Sequence, residues 1–169
     1  MMAQASPVSS INLISPDSRA RIDDSIAKYP PERKQAAVMA ALLIVQEQNG
    51  GWLSTELMDA VAEYLEMPPI AVYEVATFYT LYDLKPVGRH KIYVCTNIAC
   101  MLCGCQVIVD HLQKKLGIEL GETTADRKFT IKEAECLAAC GGAPMFMVDG
   151  VYYENLTPAK VDEILDSLE

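Results

Sequence analysis

The chain has only two histidines, His90 and His111, and one tryptophan in 169 residues. A Rieske-type centre needs two histidine ligands, and neither histidine stands in a Cys-x-His pattern, so both read as ordinary surface residues. Positive charge is also scarce: 14 Lys and Arg face 23 Asp and Glu, for a formal net charge of −9. That sign suits neither nucleic acid nor an anionic membrane surface. The longest apolar run, Ala36 to Val45, is about half the length a membrane span needs, so no direct membrane insertion is expected. Met1 to Ser10 lacks the basic start and apolar stretch of a secretory signal, which leads to the expectation of a cytoplasmic protein. No Gly-x-Gly-x-x-Gly follows a strand pattern, and no phosphate-cradling loop or Ser/His/Asp or Cys/His nucleophile set stands out. A substrate pocket with chemistry of its own is therefore not expected on this chain.

Apolar residues are plentiful, at 51%, so a sizeable core can be buried. Residues 1–14 are small and polar and read as a flexible N-terminus. Residues 15–84 carry four amphipathic patterns that read as a four-helix bundle. Ser15 and Pro16 open the first, whose stripe is Ile22, Ile26 and Tyr29. Pro30-Pro31 separates it from a second, running through Ala36, Leu42 and Val45 to the stop at Asn49-Gly50-Gly51. Ser54 opens a third through Leu57, Val61 and Leu65. A fourth follows Pro68-Pro69 through Val72, Val75, Phe78 and Tyr82. Pro86 and Gly88 mark a boundary, and the period then changes. Within residues 87–169, Lys91–Val94, Phe129–Ala134, Met145–Val148 and Val151–Tyr153 read as strands. The last two are joined by Asp149-Gly150, a strong hairpin signal that forces antiparallel pairing. Residues 103–117 and a segment opened by Pro158 read as helices. The expected fold class is α+β in two parts: the helical bundle, then a small α/β domain with a mixed sheet.

The chemistry is concentrated in cysteine. Cys95 and Cys100 form a C-x4-C, and Cys136 and Cys140 form a C-x3-C followed by Gly141-Gly142. Each pair sits in a loop directly after a strand, so parallel neighbouring strands would bring four thiolates to one sheet edge. Four soft thiolates suit a [2Fe–2S] cluster, with two sulfurs for each iron. Thr96, Ala99, Ala138, Ala139, Gly141 and Gly142 are small enough for close backbone approach, and Ile98 and Leu137 could shield the site. Zinc, a redox disulfide and plain buried thiols remain open on spacing alone, although structural zinc loops favour tight C-x2-C knuckles. Cys100-Met-Leu-Cys103 is itself a C-x2-C, so a tetrad using Cys103 is also open. Cys103 falls in the first turn of the 103–117 helix and reads as reactive, whereas Cys105 lies on that helix's apolar face and reads as a buried thiol.

These motifs, with Ala143-Pro144 after the second loop, resemble the thioredoxin-like [2Fe–2S] ferredoxins. Within that family they are similar to the 24 kDa-type subunits of NADH:quinone oxidoreductase, respiratory complex I. Gly50-Gly51-Trp52-Leu53 and Val75-Ala76-Thr77-Phe78-Tyr79 look like that family's helical signatures, and the resemblance covers roughly residues 17–168. It implies a thioredoxin-like C-terminal domain and cluster ligands Cys95, Cys100, Cys136 and Cys140, with Cys103 and Cys105 outside the set. It further implies an oxidoreductase subunit with no complete active site of its own. Such a subunit docks on a flavoprotein that binds FMN and NADH, among the peripheral-arm subunits on the cytoplasmic side of the inner membrane, and holds one electron from the reduced flavin. A related subunit of an NAD-linked hydrogenase or formate dehydrogenase is the nearest alternative. A zinc-stabilised adaptor and a thiol–disulfide enzyme are alternatives of other classes. Val75–Tyr79 reads as a core helix face or, less simply, as a docking stripe.

Overall fold

A computed structural model describes residues 10–168. The chain divides into two compact units between Pro86 and Val87. The first unit is helical: α1 (Pro16–Ile26), a 3-10 segment (Pro31–Ala37), α2 (Val38–Gln48), α3 (Thr55–Leu65) and α4 (Pro69–Phe78). Side-chain caps start α1 and α3. The hydroxyl of Ser15 accepts the Ser18 N–H at 3.1 Å, and that of Ser54 accepts the Leu57 N–H at 3.3 Å. Ile22, Leu42, Val45, Val61, Leu65 and Val72 meet in one buried core. Each buried aliphatic side chain of this size contributes roughly 1.5–3 kcal/mol.

Several details depart from the sequence reading. Residues 10–14 are ordered: Ser10–Leu13 form a 3-10 turn, and Ile14 is 1% exposed because its side chain joins that core. The rest of the expected flexible segment 1–14 lies outside the described residues. The second helix begins as a 3-10 segment because Arg33 takes a non-helical conformation. Phe78 has the spacing of the fourth helix's apolar stripe, but that helix ends at Phe78 and the side chain is 76% exposed. Val72 and Ala76 are the buried residues of this helix.

The chain leaves the helical unit through a pinned segment. The buried Gln46 side chain donates to the Leu81 carbonyl at 3.1 Å and accepts the Asp83 N–H at 2.7 Å. The Leu53 N–H donates to the Asp83 carbonyl at 2.7 Å.

The second unit is built on a four-stranded sheet, β1 (His90–Cys95), β2 (Phe129–Ala134), β3 (Phe146–Val148) and β4 (Val151–Tyr153), in the order β2-β1-β3-β4. β1 pairs in parallel with β2 and antiparallel with β3, so the sheet is mixed. The β3–β4 turn has Asp149 and Gly150 at φ 50° and 86°, the left-handed pair a two-residue hairpin requires. Ile92, Val94 and Phe146 are fully buried in a core that includes Leu112 of α6 (Cys105–Leu116) and Val161 of α7 (Pro158–Ser167). The expected 103–117 helix is preceded by a separate short helix, α5 (Ile98–Leu102), because Gly104 turns the chain at φ 84°. β2 is the outer strand on one side, and a returning segment covers its edge. Gly121 donates to the Ile131 carbonyl at 2.7 Å, and Thr124 donates to the Phe129 carbonyl at 2.9 Å. The other edge is β4, only three residues long, with Val151 and Tyr152 half exposed.

Candidate metal centre

The parallel pairing of β1 and β2 decides where the cysteines lie. Cys95 is the last residue of β1 and stands in register with Ala134, the last of β2. Both cysteine loops therefore leave the sheet at the same edge, as expected of parallel neighbouring strands. The Thr96 N–H donates to the Ala134 carbonyl at 3.2 Å, which carries the pairing one residue into the loops. Asn97 then caps α5, its side-chain oxygen accepting the Ile98 N–H at 2.8 Å, and α5 carries Cys100 inward. On the other strand, Cys136 follows β2 by two residues and Cys140 opens a 3-10 turn to Gly142.

Burial separates the thiols. Cys95, Cys100 and Cys105 are buried around Met145, with Leu137, Ala139 and Ala143 packed against them. Cys103, Cys136 and Cys140 are exposed. Cys105 is thus the buried thiol expected, but it shares its pocket with Cys95 and Cys100. Cys103 lies at the C-terminal end of α5 instead of opening a helix. Among the described residues, no three or more His, Cys, Asp or Glu side chains stand close enough together to hold a metal ion.

Backbone N–H groups converge on these sulfurs. Burial alone would raise the Cys95 thiol, but hydrogen bonds from the backbones of Asn97 and Leu137, and one with Cys100, hold it below the usual thiol range. Burial pushes the Cys100 thiol up to about 11; its bond with Cys95 and the Cys95 charge add to this, against the Met145 backbone. Cys105 is raised by burial, then by the negative charges of Cys95 and Glu133. The Ala138 N–H reaches the Cys136 sulfur at 3.3 Å, with Ala138 in the left-handed region at φ 57°. Thiolates with N–H donors aimed at them are the donor set an iron–sulfur cluster takes, so the donor chemistry fits such a group, while the four sulfurs do not stand together as one set.

The roles expected of the neighbouring small residues hold in part. A Cβ on Gly141 would meet open space, so that residue leaves room beside Cys140. A Cβ on Gly142 would strike the Glu154 side chain, so Gly142 is small because of packing. Leu137 shields the buried thiols, while Ile98 is 64% exposed and does not. The histidines are not plain surface residues: each is partly buried and paired with an acid. His90 Nδ1 lies 2.7 Å from Asp149 and His111 Nε2 lies 2.8 Å from Asp162. Sequence reasoning misses Met145 as a wall of the thiol pocket. It also misses Glu133, whose Oε1 accepts the Thr96 hydroxyl at 2.6 Å. Glu133 stands in register with Val94, and Thr96, two residues further along, reaches back to it across the strand pair.

The sequence model of the thioredoxin-like [2Fe–2S] ferredoxin family matches residues 22–169. A Rickettsia bellii (strain RML369-C) protein, named as the E-type subunit of NADH-quinone oxidoreductase, is 49% identical over 146 residues, covering 86% of this chain and 87% of that protein. NADH dehydrogenase (ubiquinone) flavoprotein 2, mitochondrial, of Dictyostelium discoideum is 42% identical, covering 88% of this chain and 60% of that protein. A crystal structure of an NAD+-reducing [NiFe]-hydrogenase superposes with a TM-score of 0.66 at 21% identity; the match spans 75% of this chain and 22% of that one, and shows a shared fold.

Proposed function

The chain belongs to the thioredoxin-like [2Fe–2S] ferredoxin family, and from that premise we propose that it is the electron-transfer subunit of an NADH:quinone oxidoreductase. Its four ligands are Cys95, Cys100, Cys136 and Cys140. When bound, the cluster supplies a one-electron redox couple, exchanging with FMN on the NADH-binding flavoprotein subunit. The chain itself provides thiolates, fixes their geometry and limits water access. Buried Cys95 and Cys100 anchor one side, Leu137 and Met145 wall it, and the N–H groups of Asn97, Leu137 and Ala138 offset negative charge on sulfur. Cys136 and Cys140 complete the set from the exposed loop, at the face an electron partner could approach.

One observation carries this reading. The parallel β1–β2 register ends at Cys95 and Ala134, and the Thr96 N–H donates to the Ala134 carbonyl at 3.2 Å, so both cysteine loops leave the sheet at one edge. Relatives at 42–49% identity bear complex I subunit names, which favours that assembly over an NAD-linked hydrogenase, where the likeness is one of fold. The four N-terminal helices serve, in this reading, as a bundle that docks on neighbouring peripheral-arm subunits, on the cytoplasmic side of an inner-membrane complex. Among the described residues no helix is long and apolar enough to cross a membrane.

The test is iron and acid-labile sulfide content of anaerobically purified protein, with low-temperature EPR before and after dithionite. Two irons and two sulfides per chain, with a rhombic signal only after reduction, are expected of a [2Fe–2S](Cys)4 site. Zinc without sulfide would replace the reading with a structural-metal adaptor.

A further inference from the structure

The ends of β1 and β2 are joined by a side-chain bond that the cluster ligands do not need. Thr96 directly follows Cys95, and its hydroxyl donates to Glu133 Oε1 at 2.6 Å. Glu133 is the penultimate residue of β2 and stands three residues before Cys136. The bond runs diagonally across the end of the strand pair, from Thr96, one residue beyond Cys95, to Glu133, one residue before Ala134 and in register with Val94. The bond fixes a carboxylate against the residue that directly follows Cys95, and that carboxylate raises the Cys105 thiol after burial and the Cys95 charge. Glu133 is exposed, so its carboxylate is open to screening by salt.

We propose that Glu133, held in place by the Thr96 hydroxyl, is a fixed negative charge that lowers the reduction potential of the cluster. One-electron reduction adds one negative charge to the cluster, and a carboxylate close by disfavours that state. Net charge around the centre is among the terms that set the potential of an iron–sulfur cluster. Glu133 is a positioning and tuning residue: it acts through its field and binds no iron. The inference rests on the cluster reading above.

The test is an anaerobic redox titration of the full chain, followed by EPR, on the unsubstituted protein, Glu133→Gln and Glu133→Asp. Glutamine keeps an oxygen that can accept the Thr96 hydroxyl and removes only the charge. At the unsubstituted protein's midpoint, the reduced-to-oxidised ratio of Glu133→Gln should rise by roughly three- to tenfold, and the rise should contract in ~1 M salt. Glu133→Asp, which keeps the charge, should shift less. If Glu133→Gln does not load iron, the Thr96→Val/Glu133→Leu pair leaves no unpaired polar partner and carries the same expected rise. An unchanged midpoint, a shift that survives high salt undiminished, or an equal shift in Glu133→Asp would overturn the proposal. Absence of iron from the unsubstituted protein would instead overturn the cluster reading, so the two failures are distinct.

Discussion

Replacing Gly88 with alanine should loosen the sheet that carries both cysteine loops. Gly88 has no positive φ, so the cost is one of space alone. A Cβ there would stand 2.7 Å from the Phe129 carbonyl carbon, 2.8 Å from the Phe129 nitrogen and 2.9 Å from the Lys128 carbonyl carbon. Comfortable carbon contacts begin near ~3.5 Å, so β2 would have to retreat by more than about half an ångström. The obstructing atoms are backbone and cannot swing away. Overpacking of this kind costs about 1–3 kcal/mol. The Gly88 N–H also donates to the Thr130 hydroxyl at 2.6 Å in a buried site. Losing that bond adds ~1 kcal/mol. Alanine returns ~0.4–1 kcal/mol by restricting the unfolded chain, which leaves a net loss of about 1–3.5 kcal/mol. Urea unfolding of the full chain, followed by far-UV circular dichroism, should show a lower midpoint at unchanged slope. Amide exchange over Phe129–Ala134 should accelerate. A stability within ~0.5 kcal/mol of the unsubstituted protein, with exchange over β2 unchanged, would refute the steric reasoning.

Three further substitutions test other parts of the structure. Gln46→Leu leaves the Leu81 carbonyl and the buried Asp83 N–H without their partner, and should cost about 2–4 kcal/mol in the same unfolding assay. Cys105→Ala should leave iron content and the reduced EPR signal unchanged, whereas Cys136→Ala should abolish both; iron loss in Cys105→Ala would break the proposed tetrad. Tyr82 is pushed up to about 12, first by burial and then by the Tyr79 charge. Its raised value stabilises the fold fully below the unfolded tyrosine pKa of about 10, and that contribution disappears as pH rises through about 12. Tyr64 and Tyr73 are raised as well, so a tyrosinate absorbance titration should show several late-titrating groups, of which Tyr82→Phe removes one.

Local signals were legible where one residue type has one physical job. Ser15, Ser54 and Asp149-Gly150 each acted where the sequence placed them, because caps and left-handed turns depend on nearest neighbours. The shared edge of the two cysteine loops was legible as well, since C-terminal ends of parallel strands lie side by side, whereas the expected convergence of four thiolates is not seen among the described residues. What failed depends on distant surroundings. Phe78 has the spacing of a core residue, yet α4 stops there and the ring stays open to solvent. Gly142 has the composition of a cluster loop, yet Glu154, twelve positions on, dictates its size. Thr96 and Glu133 are 37 residues apart, and only the register makes them neighbours.

The sheet ends in two different ways, and both bear on how the protein behaves away from its complex. An unpaired strand edge is a template for another chain, and edge-to-edge addition is a common route to aggregates. Along β2 the bonds from Gly121 and Thr124 already occupy carbonyls that a newcomer would need. Along β4 the offer is three residues, Val151–Tyr153, below the usual length of a strand. Neither margin gives a second molecule a full row of partners, so self-association by strand addition is disfavoured in a chain waiting for its partners.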